Sequence, residues 1–152
     1  MSADPEILFY HLERQSLEQA LPHLLELSLE REWRVVVQAG SDELVSALNS
    51  HLWTYRENSF LPHASDQEGL AEDQPIWLTS KPENPNEATV LFLVDGAQRD
   101  DIHGFDRCVY MFDGADEAAI AQARQNWKSL MDKGMKATYY QQSAEGKWEK
   151  RG

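Results

Sequence analysis

Cysteine is nearly absent: Cys108 stands alone, so no internal disulfide can form. Its place in the apolar run Cys108 to Phe112 marks it as a small buried hydrophobe rather than a reactive thiol. No run approaches the roughly 18 uninterrupted apolar residues that a membrane span requires. The N-terminus, Met1 to Glu6, has no basic region followed by an apolar one, so no targeting signal is read there and the expected location is cytoplasmic, away from membranes. Glycines at phosphate-binding spacing are missing too. Neither G-x-G-x-x-G nor G-x-x-x-x-G-K followed by Ser or Thr occurs, so a sheet built from this chain carries no nucleotide-binding motif. With one cysteine, and with His11, His23, His51, His63 and His103 never paired one helical turn apart beside a Glu, no zinc spacing exists. A G-x-S-x-G nucleophile motif is likewise absent. No catalytic residue, resident metal or cofactor is expected.

Positive charge is scarce and unevenly placed. The chain holds 14 Lys and Arg against 26 Asp and Glu, a net charge of −12. From Arg124 onward there are seven basic residues against three acidic ones, whereas residues 1–123 carry a net −16. An acidic body of this kind repels a phosphate backbone, while the basic end reads either as a solvated helix end and tail or as a patch for an anionic partner.

At 152 residues with 41% hydrophobic content, the chain suits one domain spanning 1–152 with one ordinary core. Ile7 to Leu12 is an apolar run suited to a buried strand. Leu17 to about Arg31 keeps an apolar face at helical spacing; Pro22 inside it implies either a later start, near Leu21, or a kinked first turn. Trp33 to Gln38 is a β-branched strand, and Gly40 to Glu43 opens a second helix that ends near Trp53. Residues 54–75 carry no clear period and read as a long connection. Ile76–Thr79, Thr89–Val94, Arg107–Phe112 and Lys136–Gln142 follow as strands, and Gly146 onward as a strand end or tail. The last helix starts at Asp113 to Glu117 and stops at Gly134, with Ile120, Ala123, Trp127, Leu130 and Met131 as its apolar stripe. Strands alternating with helices predict an α/β, three-layer, Rossmann-like fold with a mostly parallel sheet.

In such a sheet ligands gather at the carboxyl ends of the strands, where Val94-Asp95-Gly96-Ala97 and Phe112-Asp113-Gly114-Ala115 end alike. Asp95 and Asp113 could share a magnesium ion in a small enzyme, or they could simply be turn and cap residues. A further reading is single-strand binding by the basic C-terminal part, with Trp127, Tyr139 or Trp148 stacking on bases.

Two segments are unusual for a plain α/β domain. Leu52-Trp53 through Ser59-Phe60-Leu61-Pro62-His63 places large apolar side chains at a helix exit and in a loop, where they either fold back on the core or form an interface. In the closing helix, Arg124 and Lys128 border the apolar stripe one turn apart around Trp127, a position that fits either core or pocket. These segments, with Phe9 to Leu12 and Trp33 to Val37, resemble the chi subunit family of the bacterial DNA polymerase III holoenzyme along nearly the whole chain. The resemblance implies a non-catalytic accessory subunit of the polymerase complex in DNA replication. It would bridge the clamp loader to single-stranded DNA-binding protein by gripping that protein's acidic, Phe-terminated tail. DNA would then be met only indirectly. By resemblance the tail is held by Arg124, Trp127 and Lys128; because Ile120 stands where some relatives carry a basic residue, the expected grip is either weaker or built from Lys133 and Lys136 instead. Trp53, Phe60, Leu61 and Pro62 would dock the psi subunit or an equivalent clamp-loader component.

Overall fold

The computed structural model describes residues 5–12, 17–54, 65, 71–94, 96–99, 102, 104–142 and 148–150. Its elements run β1 (Glu6–Leu12), α1 (Leu17–Glu30), β2 (Val35–Gln38), α2 (Asp42–Thr54), a 3-10 turn (Ala71–Asp73), β3 (Ile76–Thr79), β4 (Val90–Val94), β5 (Arg107–Asp113), α3 (Glu117–Asp132), β6 (Ala137–Gln142) and β7 (Trp148–Lys150). The seven strands form one sheet in the order β3-β2-β4-β5-β1-β6-β7. All neighbours pair in parallel except β6 and β7. This is the three-layer Rossmann-like architecture that the pattern of elements predicts.

Parallel strands are covered on both faces, so their sequences are continuous apolar runs and alternation decides only which layer each side chain enters. Val35, Val37, Val109 and Met111 pack with Leu21 and Leu25 of α1 and Val45, Leu48 and Leu52 of α2. Val36, Leu91, Cys108 and Phe112 point the other way and pack with Ala123 and Leu130 of α3. Phe9 of β1, fully buried, belongs to this second layer.

The helix after β1 and the helix after β5 lie on opposite faces although β1 and β5 are neighbours in the sheet. Where adjacent connections part in this way a crevice opens at the carboxyl ends of the strands. Here it is a cleft of about 640 Å³ bounded by Leu12, Phe112, Asp113 and the first turns of α1 and α3.

Pro22 neither delays nor ends the first helix: α1 begins at Leu17 with Pro22 buried inside it. β2 is shorter than its sequence run, starting at Val35, because Trp33 is taken up in the closing turn of α1, its N–H donating to Ser28 O at 3.0 Å after Glu32 at φ 61°. Met131, placed by spacing on the apolar stripe of α3, is 37% exposed. Cys108 is fully buried, and burial pushes its thiol up to about 12, which keeps it protonated and unreactive at neutral pH.

Candidate functional site

The closing helix is fixed at both ends by its own sequence. Asp116 caps it, its carboxylate accepting from the backbone N–H of Ala118 (3.0 Å) and Ala119 (3.4 Å). At the other end Gly134, at φ 79°, donates to Met131 O (2.9 Å), and Met135 donates to Leu130 O (3.0 Å). That is a Schellman closure, and Met135 and Leu130 are both buried in the same cluster, which anchors the turn.

Ala123 and Leu130 face the sheet, and Trp127 lies half-buried between them in sequence. Its indole meets Phe9 edge-on at 5.3 Å between ring centroids and Tyr139 of β6 at 6.2 Å, while Phe9 stacks on Tyr110 at 4.6 Å. Trp127 is therefore both a core contact and a partly open ring, with Tyr139 as the floor beside it. Tyr139 is itself held by a hydrogen bond between its hydroxyl and His11 Nδ1. Strand alternation on β6 could have placed Tyr139 on this face, because Ala137, Tyr139 and Gln141 share a side.

Arg124 and Lys128 are exposed one turn apart, and among the described residues neither has a carboxylate within ion-pair distance. Helical spacing sets both on the flank of α3 that borders Trp127, with exposed Met131 one turn beyond Lys128. Lys133 is not brought to them. It faces the opposite flank, where it lines a small hollow of about 130 Å³ with Arg99 and Ser129. Trp53 lies in the last turn of α2, but its side chain, like Phe60, Leu61 and Pro62, falls outside the described residues.

The paired Asp-Gly strand ends are turn chemistry where they can be described. Asp113 Oδ1 accepts from Ala115 N at 2.8 Å, and Asp95 lies outside the described residues. Among the described residues no three His, Cys, Asp or Glu side chains gather to hold a metal ion, and no helix is long and apolar enough to cross a membrane.

Residues 5–138 match the model of the family described as DNA polymerase III chi subunit, HolC. The chain belongs to the DNA polymerase III chi subunit family. It is also similar to "Probable DNA polymerase III subunit chi" of Rickettsia prowazekii (strain Madrid E), at 31% identity over 85 residues. That alignment covers 56% of this chain and 52% of the relative, so the chain spans about half the length of the curated relative it matches. For a chi-family chain, the Arg124 and Lys128 flank is thus an open cationic strip beside an aromatic pair on an otherwise acidic protein.

Proposed function

We propose that this chi-family chain is a non-catalytic accessory subunit in DNA replication, a cytoplasmic single domain that links the clamp loader to single-stranded DNA-binding protein. The link is made by holding that protein's acidic C-terminal tail on the Arg124 and Lys128 flank of α3. The observation that carries this reading is that both cations are exposed, share one flank, and have no ion-pair partner among the described residues. Carboxylates of the tail pair with the guanidinium and ammonium groups, and its terminal aromatic ring lies against Trp127, Tyr139 and Met131. Lys133, on the far flank, takes no part in this grip; Lys136, just past the helix end, is exposed and adds to the cationic surface. DNA is reached through the partner, because a body with net charge −12 repels the duplex.

The Trp53, Phe60, Leu61 and Pro62 block serves as the dock for psi or an equivalent clamp-loader component. Large apolar side chains at a helix exit suit such a dock.

A short peptide with a few charged contacts and one buried ring supplies roughly 6 to 9 kcal/mol, hence micromolar binding that weakens with salt. Calorimetric titration of the tail peptide into wild type and Lys128→Glu tests this. Micromolar binding lost in the variant supports it; equal binding by both proteins, or none by wild type, overturns it.

A further inference from the structure

Tyr139 reaches the Arg124 and Lys128 flank from β6, but the group that holds it there belongs to β1. In the sheet β6 lies across β1 from β5, so Tyr139 approaches α3 on the side away from the hollow that Tyr110 and Lys133 line. Its ring meets Trp127 at 6.2 Å between centroids, with 76° between the planes, and Phe112 at 6.1 Å. A half-buried tyrosine on a strand chooses among staggered side-chain positions. The hydrogen bond between the Tyr139 hydroxyl and His11 Nδ1 selects this one, acting at the far end of the ring. His11 is itself gripped. It pairs with Phe112 on one side and Gln141 on the other, its imidazole lies 5.0 Å from the Phe112 ring, and it sits so close to Gly114 that a Cβ there would overlap it.

We propose that His11 is a positioning residue for the tail site: through the Tyr139 hydroxyl it fixes the aromatic wall beside Trp127, and so makes the site select a terminal aromatic ring over a terminal aliphatic side chain. The inference rests on the tail-binding reading above. An incoming ring gains from offset or edge-on geometry, which needs a wall ring held at one angle. An aliphatic side chain has no such angular demand and packs nearly as well against a tyrosine that turns. Fixing the wall before the ligand arrives also removes the entropy lost when a side chain is immobilised on binding. His11 acts here without joining the cationic strip, since its bond runs to the hydroxyl and Arg124 and Lys128 lie on α3.

The test is calorimetric titration of two acidic nine-residue peptides, identical except that one ends in Phe and the other in Leu. They are titrated into the full chain as wild type, Lys128→Glu, His11→Leu, His11→Asn, Tyr139→Phe and the double variant His11→Leu with Tyr139→Phe. His11→Leu and Tyr139→Phe should each weaken the Phe peptide about fivefold, the size expected for one side chain left to be immobilised on binding, and change the Leu peptide by less than about twofold. The double variant should lose no more than either single one, because both remove the same bond. His11→Asn, whose amide stands close to where Nδ1 was, should recover part of the loss. A merely structural role for His11 would weaken both peptides alike. The proposal is overturned if the two single variants bind as wild type does, if both peptides weaken equally, if the losses add in the double variant, or if His11→Asn recovers nothing. Wild-type binding that Lys128→Glu abolishes, with the ratio between the peptides unmoved by His11→Leu, removes this proposal and leaves the tail reading standing. Absence of binding by wild type removes both. Should His11→Leu fail to fold, Tyr139→Phe, which deletes a single oxygen, decides alone.

Discussion

His51 of α2 donates from Nε2 to the carbonyl oxygen of Glu18 in α1, at 2.6 Å. Glu18 lies four residues before Pro22, so its carbonyl is the one that a proline at position 22 leaves without a helical N–H. The imidazole supplies the missing donor from the neighbouring helix. His51→Ala should therefore cost about 1 kcal/mol in wild type and close to nothing in a Pro22→Ala background, where the substituted residue regains a backbone N–H that takes the carbonyl. Urea denaturation of the four proteins measures the coupling; an equal loss in both backgrounds would show that the two residues act independently.

That contact also shows where the sequence stopped being readable. The strands Ile76–Thr79 and Arg107–Phe112, and the cap and stop of α3, were legible because each depends on residues within a few positions. The continuation of α1 through Pro22 depends on a donor 29 positions further along the chain than the proline, which no local rule supplies. The split of the basic residues was only half legible. Helical spacing puts Lys128 with Arg124 and Lys133 on the other flank, but simple proximity in sequence groups all three. The cleft at the strand ends was not legible at all, since Glu18 and Asp116 come to line one hollow only once β1 and β5 are side by side.

Gly114 lies against His11 where β5 leaves the sheet, its N–H donating to Leu12 O at 2.7 Å. A Cβ at this position would overlap the His11 imidazole and crowd the Leu12 carbonyl. Gly114→Ala should cost about 2 to 3 kcal/mol through forced displacement of β1 or of the imidazole. Thermal unfolding reads the loss, and a change below about 0.5 kcal/mol would mean that His11 yields freely.

Trp127 and Lys128 should separate stability from binding. Trp127→Ala removes the edge contacts to Phe9 and Tyr139, for about 2 kcal/mol of stability, and also the ring beside the cations. Lys128→Ala should leave stability within about 0.5 kcal/mol while weakening the tail peptide several-fold. Denaturation and calorimetry on the two variants check this, and undiminished tail binding by Trp127→Ala would assign the indole wholly to the core.

Glu83 ties the turn after β3 to the strand: its Oε2 accepts from Trp77 Nε1 at 3.0 Å and from Thr79 Oγ1 at 2.6 Å. Both donors belong to buried residues. Glu83→Ala leaves them without that acceptor and should cost about 2 to 3 kcal/mol, while Glu83→Gln, which keeps an amide oxygen there, should cost less. If the two substitutions prove equally mild by urea denaturation, water reaches this corner and the carboxylate is not needed.

Cys108 should make the fold sensitive to alkali. Burial raises its thiol from 9.0 to about 12 in the folded protein, so folding favours the protonated form. Its contribution is complete below pH 9, where the thiol is protonated in both states, and is lost between pH 9 and about 12 as the unfolded chain alone gives up the proton. Within that window stability should fall by about 1.4 kcal/mol per pH unit from this group. Tyr10 and Tyr110, whose hydroxyls are also raised by burial, should steepen the fall above their ordinary value of 10.0. Cys108→Ala should be less stable at pH 7, because it leaves a small cavity, yet lose stability more slowly between pH 9 and 10 than wild type. Parallel slopes for the two proteins in that interval would show that the thiol reaches water before the fold is lost.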